Sequence, residues 1–171
     1  VSVDFAVERL LYGKCLNAGQ TCVAPDYILC PEDKKPALVE SLKKHFNILY
    51  PDMNNGDYSS VINDAQYQRL QNWLEDARQK GAEIIPLAQP SPTHPRSMPL
   101  TLVIKANTSM TVMQEEIFGP ILPIIAYKDL KQAIQIVHSQ ARPLALYLFT
   151  HSHRLEEQVL RHTHAGGVCI N

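Results

Sequence analysis

Six consecutive residues, Asn17-Ala18-Gly19-Gln20-Thr21-Cys22, bring a thiol, a glycine and small polar groups together where neither helical nor strand periodicity holds. A catalytic thiol must ionise and stay reachable, and irregular backbone beside amide donors serves both needs better than a packed helix face. Gly19 opens backbone conformations closed to other residues, and Gln20 with its neighbouring amides is placed to hold an oxyanion. Cys22 is the candidate nucleophile, although a Gly-x-x-Cys loop taken alone more often holds a buried structural cysteine. A second stretch, Glu115-Glu116-Ile117-Phe118-Gly119-Pro120, sets two carboxylates and a ring beside a Gly-Pro pair. A carboxylate can accept two hydrogen bonds from a diol. Acids in a loop also serve as plain solvated charge, and Phe118 is open to core packing.

Other residues invite chemistry less. His151, His153, His162 and His164 form two His-x-His pairs around one predicted helix. Alternate residues share a face on a strand but point apart on a helix, so no metal site is expected. The four cysteines (15, 22, 30 and 169) match no zinc spacing and are too few for a disulfide scaffold. Cys15, Cys30 and Cys169 have apolar neighbours and are expected as buried, reduced thiols.

The elements that must position these residues follow from periodicity. Val3, Val7, Leu10 and Leu11 recur at helical spacing just before the thiol segment, and Tyr27 to Cys30 reads as a short buried strand after it. Helices are predicted over 32–49, with Leu38, Leu42, Phe46 and Leu49 as the apolar stripe, and over about 63–80, where Asn63 and Gln66 have capping-box spacing. Residues 82–87 read as a strand, and 89–99 as an exposed proline-rich loop. Beyond Leu100 the order is strand (100–104), strand (121–127), helix (129–140), strand (144–150), helix (152–162) and strand (168–170). Leu130, Ile134 and Val137 are expected to face inward. Such alternation with short connections predicts an α/β fold, a mostly parallel sheet with helices on both faces.

Composition sets the outer bounds. The chain has 171 residues, 45% hydrophobic and 19% charged, with a net charge of −1. That is a globular protein with room for one core, and nothing in the charge points to nucleic acid or an anionic membrane. No apolar run reaches the roughly 18 residues of a membrane span, and no secretory signal is evident. A reducing cytoplasm suits the free thiols. The chain opens on Val1 inside a helical pattern and closes on a strand-like run, so an excised part of a longer protein is expected.

Taken together, the two motifs resemble the signatures of the NAD(P)-dependent aldehyde dehydrogenases, in the right order, and the resemblance extends through essentially the whole chain. Cys22-Val23-Ala24-Pro25-Asp26-Tyr27 and Pro143-Leu144-Ala145-Leu146-Tyr147-Leu148-Phe149 are similar to the class 3 and coniferyl aldehyde branch. The resemblance implies a truncated, Rossmann-like catalytic domain over 1–171, without the nucleotide-binding domain. It implies Cys22 as nucleophile, its backbone amide as an oxyanion donor, Glu116 on the nicotinamide ribose, Phe118 near the nicotinamide, and NAD or NADP as cofactor. An aldehyde would be the substrate and the full-length protein a homo-oligomer. The family's glutamate base in a Glu-Leu-Gly-Gly-like segment, and its oxyanion asparagine, do not occur in this sequence, so the fragment is expected to be inactive alone. Two other readings stand beside this one. A cysteine hydrolase or acyltransferase would pair Cys22 with a histidine, yet no His and carboxylate stand in a recognisable relation to it. A non-catalytic oligomerisation module would leave apolar surface exposed.

Overall fold

The computed structural model describes residues 1–171. Helix α1 (Val3–Cys15) starts on Ser2, whose side chain accepts from the Phe5 N–H. It runs into the thiol segment through a kinked turn at Leu16–Gly19. Strand β1 (Ile28–Pro31) follows, then α2 (Lys35–Leu49), α3 (Asp64–Gln79), β2 (Glu83–Pro86) and β3 (Thr101–Ile104). The remainder is β4 (Ile121–Tyr127), α4 (Leu130–His138), β5 (Ala145–Leu148), α5 (His153–His162) and β6 (Gly167–Ile170).

Capping explains several of the helix starts. Asn63, Asp129 and Ser152 each adopt an extended backbone and accept an N–H three residues on, opening α3, α4 and α5. Pro36 stands in the first turn of α2, where its missing N–H costs nothing. Residues 32–34, expected as the start of that helix, form a separate 3₁₀ turn.

Four strands form one sheet in the order β1-β4-β3-β2. β1 and β3 both run parallel to β4, with Ile28 opposite Ile124 and Val103 opposite Pro123. β2 closes the edge antiparallel. Helices α1 and α2 cover one face: Leu11, Leu42 and Phe46 pack with Leu102, Leu122 and Ile124. Helix α3 covers the other, where Leu70, Leu74 and Ala77 meet Val103, Met110 and Ile121. Helices on both faces of a mostly parallel sheet are what the sequence predicts.

One feature departs from that expectation. β5 and β6 pair in parallel with each other, as a separate two-stranded sheet. Between this unit and β1 lies a cavity of about 510 Å³, lined by Leu29, Ile134, Val137 and Leu146 among others. Leu130, Ile134 and Val137 are therefore only half-buried, and Ala133 is the buried residue of α4. Cys169 on β6 is exposed, contrary to the buried thiol expected there. Cys15 and Cys30 are buried as predicted.

Candidate active site

Two loops meet because two strands are parallel neighbours. The thiol segment enters β1 and the Glu115–Pro120 segment enters β4, so both stand at the amino ends of adjacent parallel strands. Open α/β sheets usually bind ligands at the carboxyl ends; here the candidate residues gather at the opposite edge.

The thiol segment begins with a sharp reversal. Asn17, Ala18 and Gly19 all have positive φ, at 52°, 53° and 72°. For Asn and Gly this is tolerable, but for a buried Ala it stores strain. The reversal brings Gly19 against Gly119, so closely that a Cβ on Gly19 would collide with the Gly119 carbonyl oxygen and lie 2.9 Å from its carbon. On its other side, a Cβ on Gly119 would meet Leu70 Cδ1 at 2.6 Å. The two motifs are thus in backbone contact through two glycines.

Gln20 does not serve an oxyanion. Its Nε2 donates to the carbonyls of Asn17 (3.0 Å) and Ser60 (3.1 Å), and its Oε1 accepts from the Ile62 N–H at 2.9 Å. The whole amide is spent on docking the loop before α3. Cys22 itself is exposed, and its backbone N–H makes no hydrogen bond within the chain. That amide is therefore free to donate to a bound group.

On the other loop, buried Ile117 separates two exposed side chains, Glu116 and Phe118. Ile117 is held at both ends: its N–H donates to Asp26 Oδ1 at 3.1 Å, and its carbonyl accepts from Arg69 Nη2 at 2.6 Å. The Arg69 guanidinium also lies 4.2 Å over the Trp73 ring, a cation–π contact that fixes its plane. With Ile117 pinned, Phe118 adopts φ 47° and turns its ring outward, 44% exposed. The Glu116 carboxylate has no hydrogen bond or ion pair within the chain. Cys22, Glu116 and Phe118 all line the cavity.

Beneath the clamp a buried lysine lies near the half-buried Asp26. Lys14 has no exposed surface, and its Nζ has no hydrogen-bond partner. Burial pulls its ammonium down to about 8, opposed by the nearby charge of Asp26. Burial likewise raises the Asp26 carboxyl; Lys14, the Ile117 N–H and Arg69 oppose the rise and Glu116 adds to it. Neither Asp26 nor Arg69 stands out in the sequence as part of a site. Lys14 had a visible signal, because it continues the Val7, Leu10, Leu11 stripe at helical spacing and so stands on the buried face.

The aldehyde dehydrogenase family pattern matches residues 1–171. The chain belongs to the aldehyde dehydrogenase family. It is 46% identical to a probable coniferyl aldehyde dehydrogenase of Pseudomonas aeruginosa, over 100% of this chain and 36% of that protein. It is 37% identical to the dimeric NADP-preferring aldehyde dehydrogenase of Rattus norvegicus, over 99% of this chain and 36% of the relative. Among solved structures, substrate-bound AldH of Staphylococcus aureus superposes with a TM-score of 0.89 at 37% identity, covering 99% of this chain and 37% of that one. The chain thus spans little more than a third of the length of these relatives. Within an aldehyde dehydrogenase chain, an exposed thiol, an unpaired carboxylate and an outward ring on one cavity are a coherent set.

Proposed function

We propose that this chain carries the nucleophilic half of an enzyme that oxidises aldehydes to carboxylic acids with NAD or NADP. The observation that carries the reading is the backbone contact of Gly19 with Gly119, which sets Cys22 and the Glu116–Phe118 pair around one cavity.

In this reading the Cys22 thiolate adds to the aldehyde carbonyl and forms a thiohemiacetal. The backbone N–H of Cys22, left free in the loop, donates to the developing oxyanion. A bound nicotinamide supplies the hydride acceptor. Loss of hydride leaves a thioester on Cys22, which water hydrolyses to release the acid. Glu116 would hold the ribose diol and Phe118 the nicotinamide; the free carboxylate and exposed ring fit those tasks, since neither is spent on the fold. No glutamate base in a Glu-Leu-Gly-Gly-like segment is available within these residues. The 171-residue chain alone is therefore proposed to be inactive.

Relatives named for coniferyl aldehyde support a conjugated aromatic aldehyde as substrate. The relative named dimeric supports a homo-oligomer. We place the protein in the cytoplasm, in keeping with free thiols and with no helix long and apolar enough to cross a membrane. The test is turnover of coniferaldehyde, benzaldehyde and hexanal by the full-length protein with each cofactor. Oxidation that is abolished in Cys22→Ala supports the reading; NAD(P)-independent thioester hydrolysis would instead favour a cysteine hydrolase.

A further inference from the structure

Cys22 is the second residue of a tight turn, in which the Ala24 N–H donates to the Thr21 carbonyl at 3.1 Å. No burial holds that turn, because Val23 is 51% exposed and Cys22 is exposed too. The other side of the same peptide group is held from a distance. The Tyr147 phenol, on β5, donates to the Val23 carbonyl at 2.7 Å, across 124 positions of sequence. The Val23–Ala24 peptide is therefore gripped at its N–H from within the turn and at its C=O from the second sheet.

We propose that Tyr147 is a positioning residue for Cys22. A peptide held at both ends cannot flip about its flanking bonds, so the Thr21–Ala24 turn, which carries Cys22 at its second position, keeps its shape. The Val23 carbonyl accepts no other hydrogen bond, so the phenol alone provides this restraint. It also couples the nucleophile to the β5–β6 unit, in which Tyr147 stands opposite Cys169. Burial raises the phenol above its ordinary range, with Cys169 and Cys22 nearby adding to the rise, so it remains a donor at neutral pH. The inference rests on Cys22 being the nucleophile, and its test is chosen to fail separately.

The experiment compares Tyr147→Phe with the wild type in the full-length protein. The ring is kept and one hydroxyl is lost, so the fold is retained. Amide hydrogen exchange over the 21–26 peptide should accelerate about threefold to tenfold, the range one neutral hydrogen bond covers, while β3 and β4 stay unchanged. The kcat for aldehyde oxidation should fall by a similar factor, with KM for the cofactor unchanged. Unchanged exchange at 21–26, acceleration spread evenly through the core, or faster local exchange with unaltered kcat would each overturn the proposal. Activity surviving in Cys22→Ala would refute the nucleophile assignment instead, and the exchange result would still report on the tether.

Discussion

Gly19 and Gly119 touch backbone to backbone, and no side chain fits between them. Gly19 also has φ +72°, a conformation that costs an L residue about 1–2 kcal/mol. Overlap with a carbonyl adds on the order of 1–3 kcal/mol. Gly19→Ala is therefore expected to lose about 3 kcal/mol of stability, seen as a lower urea midpoint, and to lose activity even where the protein remains folded. A variant that keeps both would mean that the two loops can part without consequence.

The clamp on Ile117 makes a second prediction. Asp26→Ala and Arg69→Leu each remove a charge-assisted hydrogen bond that holds the residue between Glu116 and Phe118. Bonds of that kind are worth about 1.5–3 kcal/mol, so KM for NAD(P) should rise about tenfold to a hundredfold. Asp26→Asn keeps an acceptor and should do less harm. Steady-state kinetics with the cofactor varied decides this; equal losses for Ala and Asn would show that charge matters and not the hydrogen bond.

Thiol chemistry should separate the four cysteines. Burial pushes Cys15 up to about 12 and Cys30 up to about 11, so both remain protonated and shielded at neutral pH. Iodoacetamide at about pH 8 is expected to label Cys22 and Cys169 and to spare the other two, because the thiolate is the reactive species. Peptide mass spectrometry gives the order, and early labelling of Cys15 would show that α1 opens readily.

Lys14 gives a pH signature of definite sign. Its ammonium is pulled down from 10.5 to about 8 in the folded protein, so between those values the unfolded chain binds more protons. The stability this group contributes is complete above 10.5 and is lost as pH falls through about 8. The difference in unfolding free energy between wild type and Lys14→Met should therefore move in favour of the wild type as pH rises across that window. A difference independent of pH would place the lysine in contact with water.

Much of this architecture is legible in the residues. Asn63, Asp129 and Ser152 announce their helices because an extended side-chain acceptor before an apolar stripe has few other uses, and β4 ends where it was expected. The meeting of the two loops follows from a parallel neighbour relation, which β-branched and aliphatic content alone does not reveal. Gln20 misled because an amide in a catalytic loop serves docking as readily as catalysis; only the positions of Ser60 and Ile62 tell which. Cys169 misled for a different reason: an apolar neighbourhood in sequence predicts burial only where a second layer covers the strand. The hydrogen bond from Tyr147 to Val23 has no signature in the sequence, since the partner is a main-chain carbonyl.

The most direct test of Cys22 as nucleophile is to trap its acyl intermediate. The full-length enzyme is mixed with coniferaldehyde and NAD or NADP, quenched in acid within the first turnovers, digested and examined by mass spectrometry. The acyl mass is expected on the peptide containing Cys22, with no such adduct in Cys22→Ala. An acyl group found on Cys169 or any other residue, or steady oxidation by Cys22→Ala, would contradict that assignment.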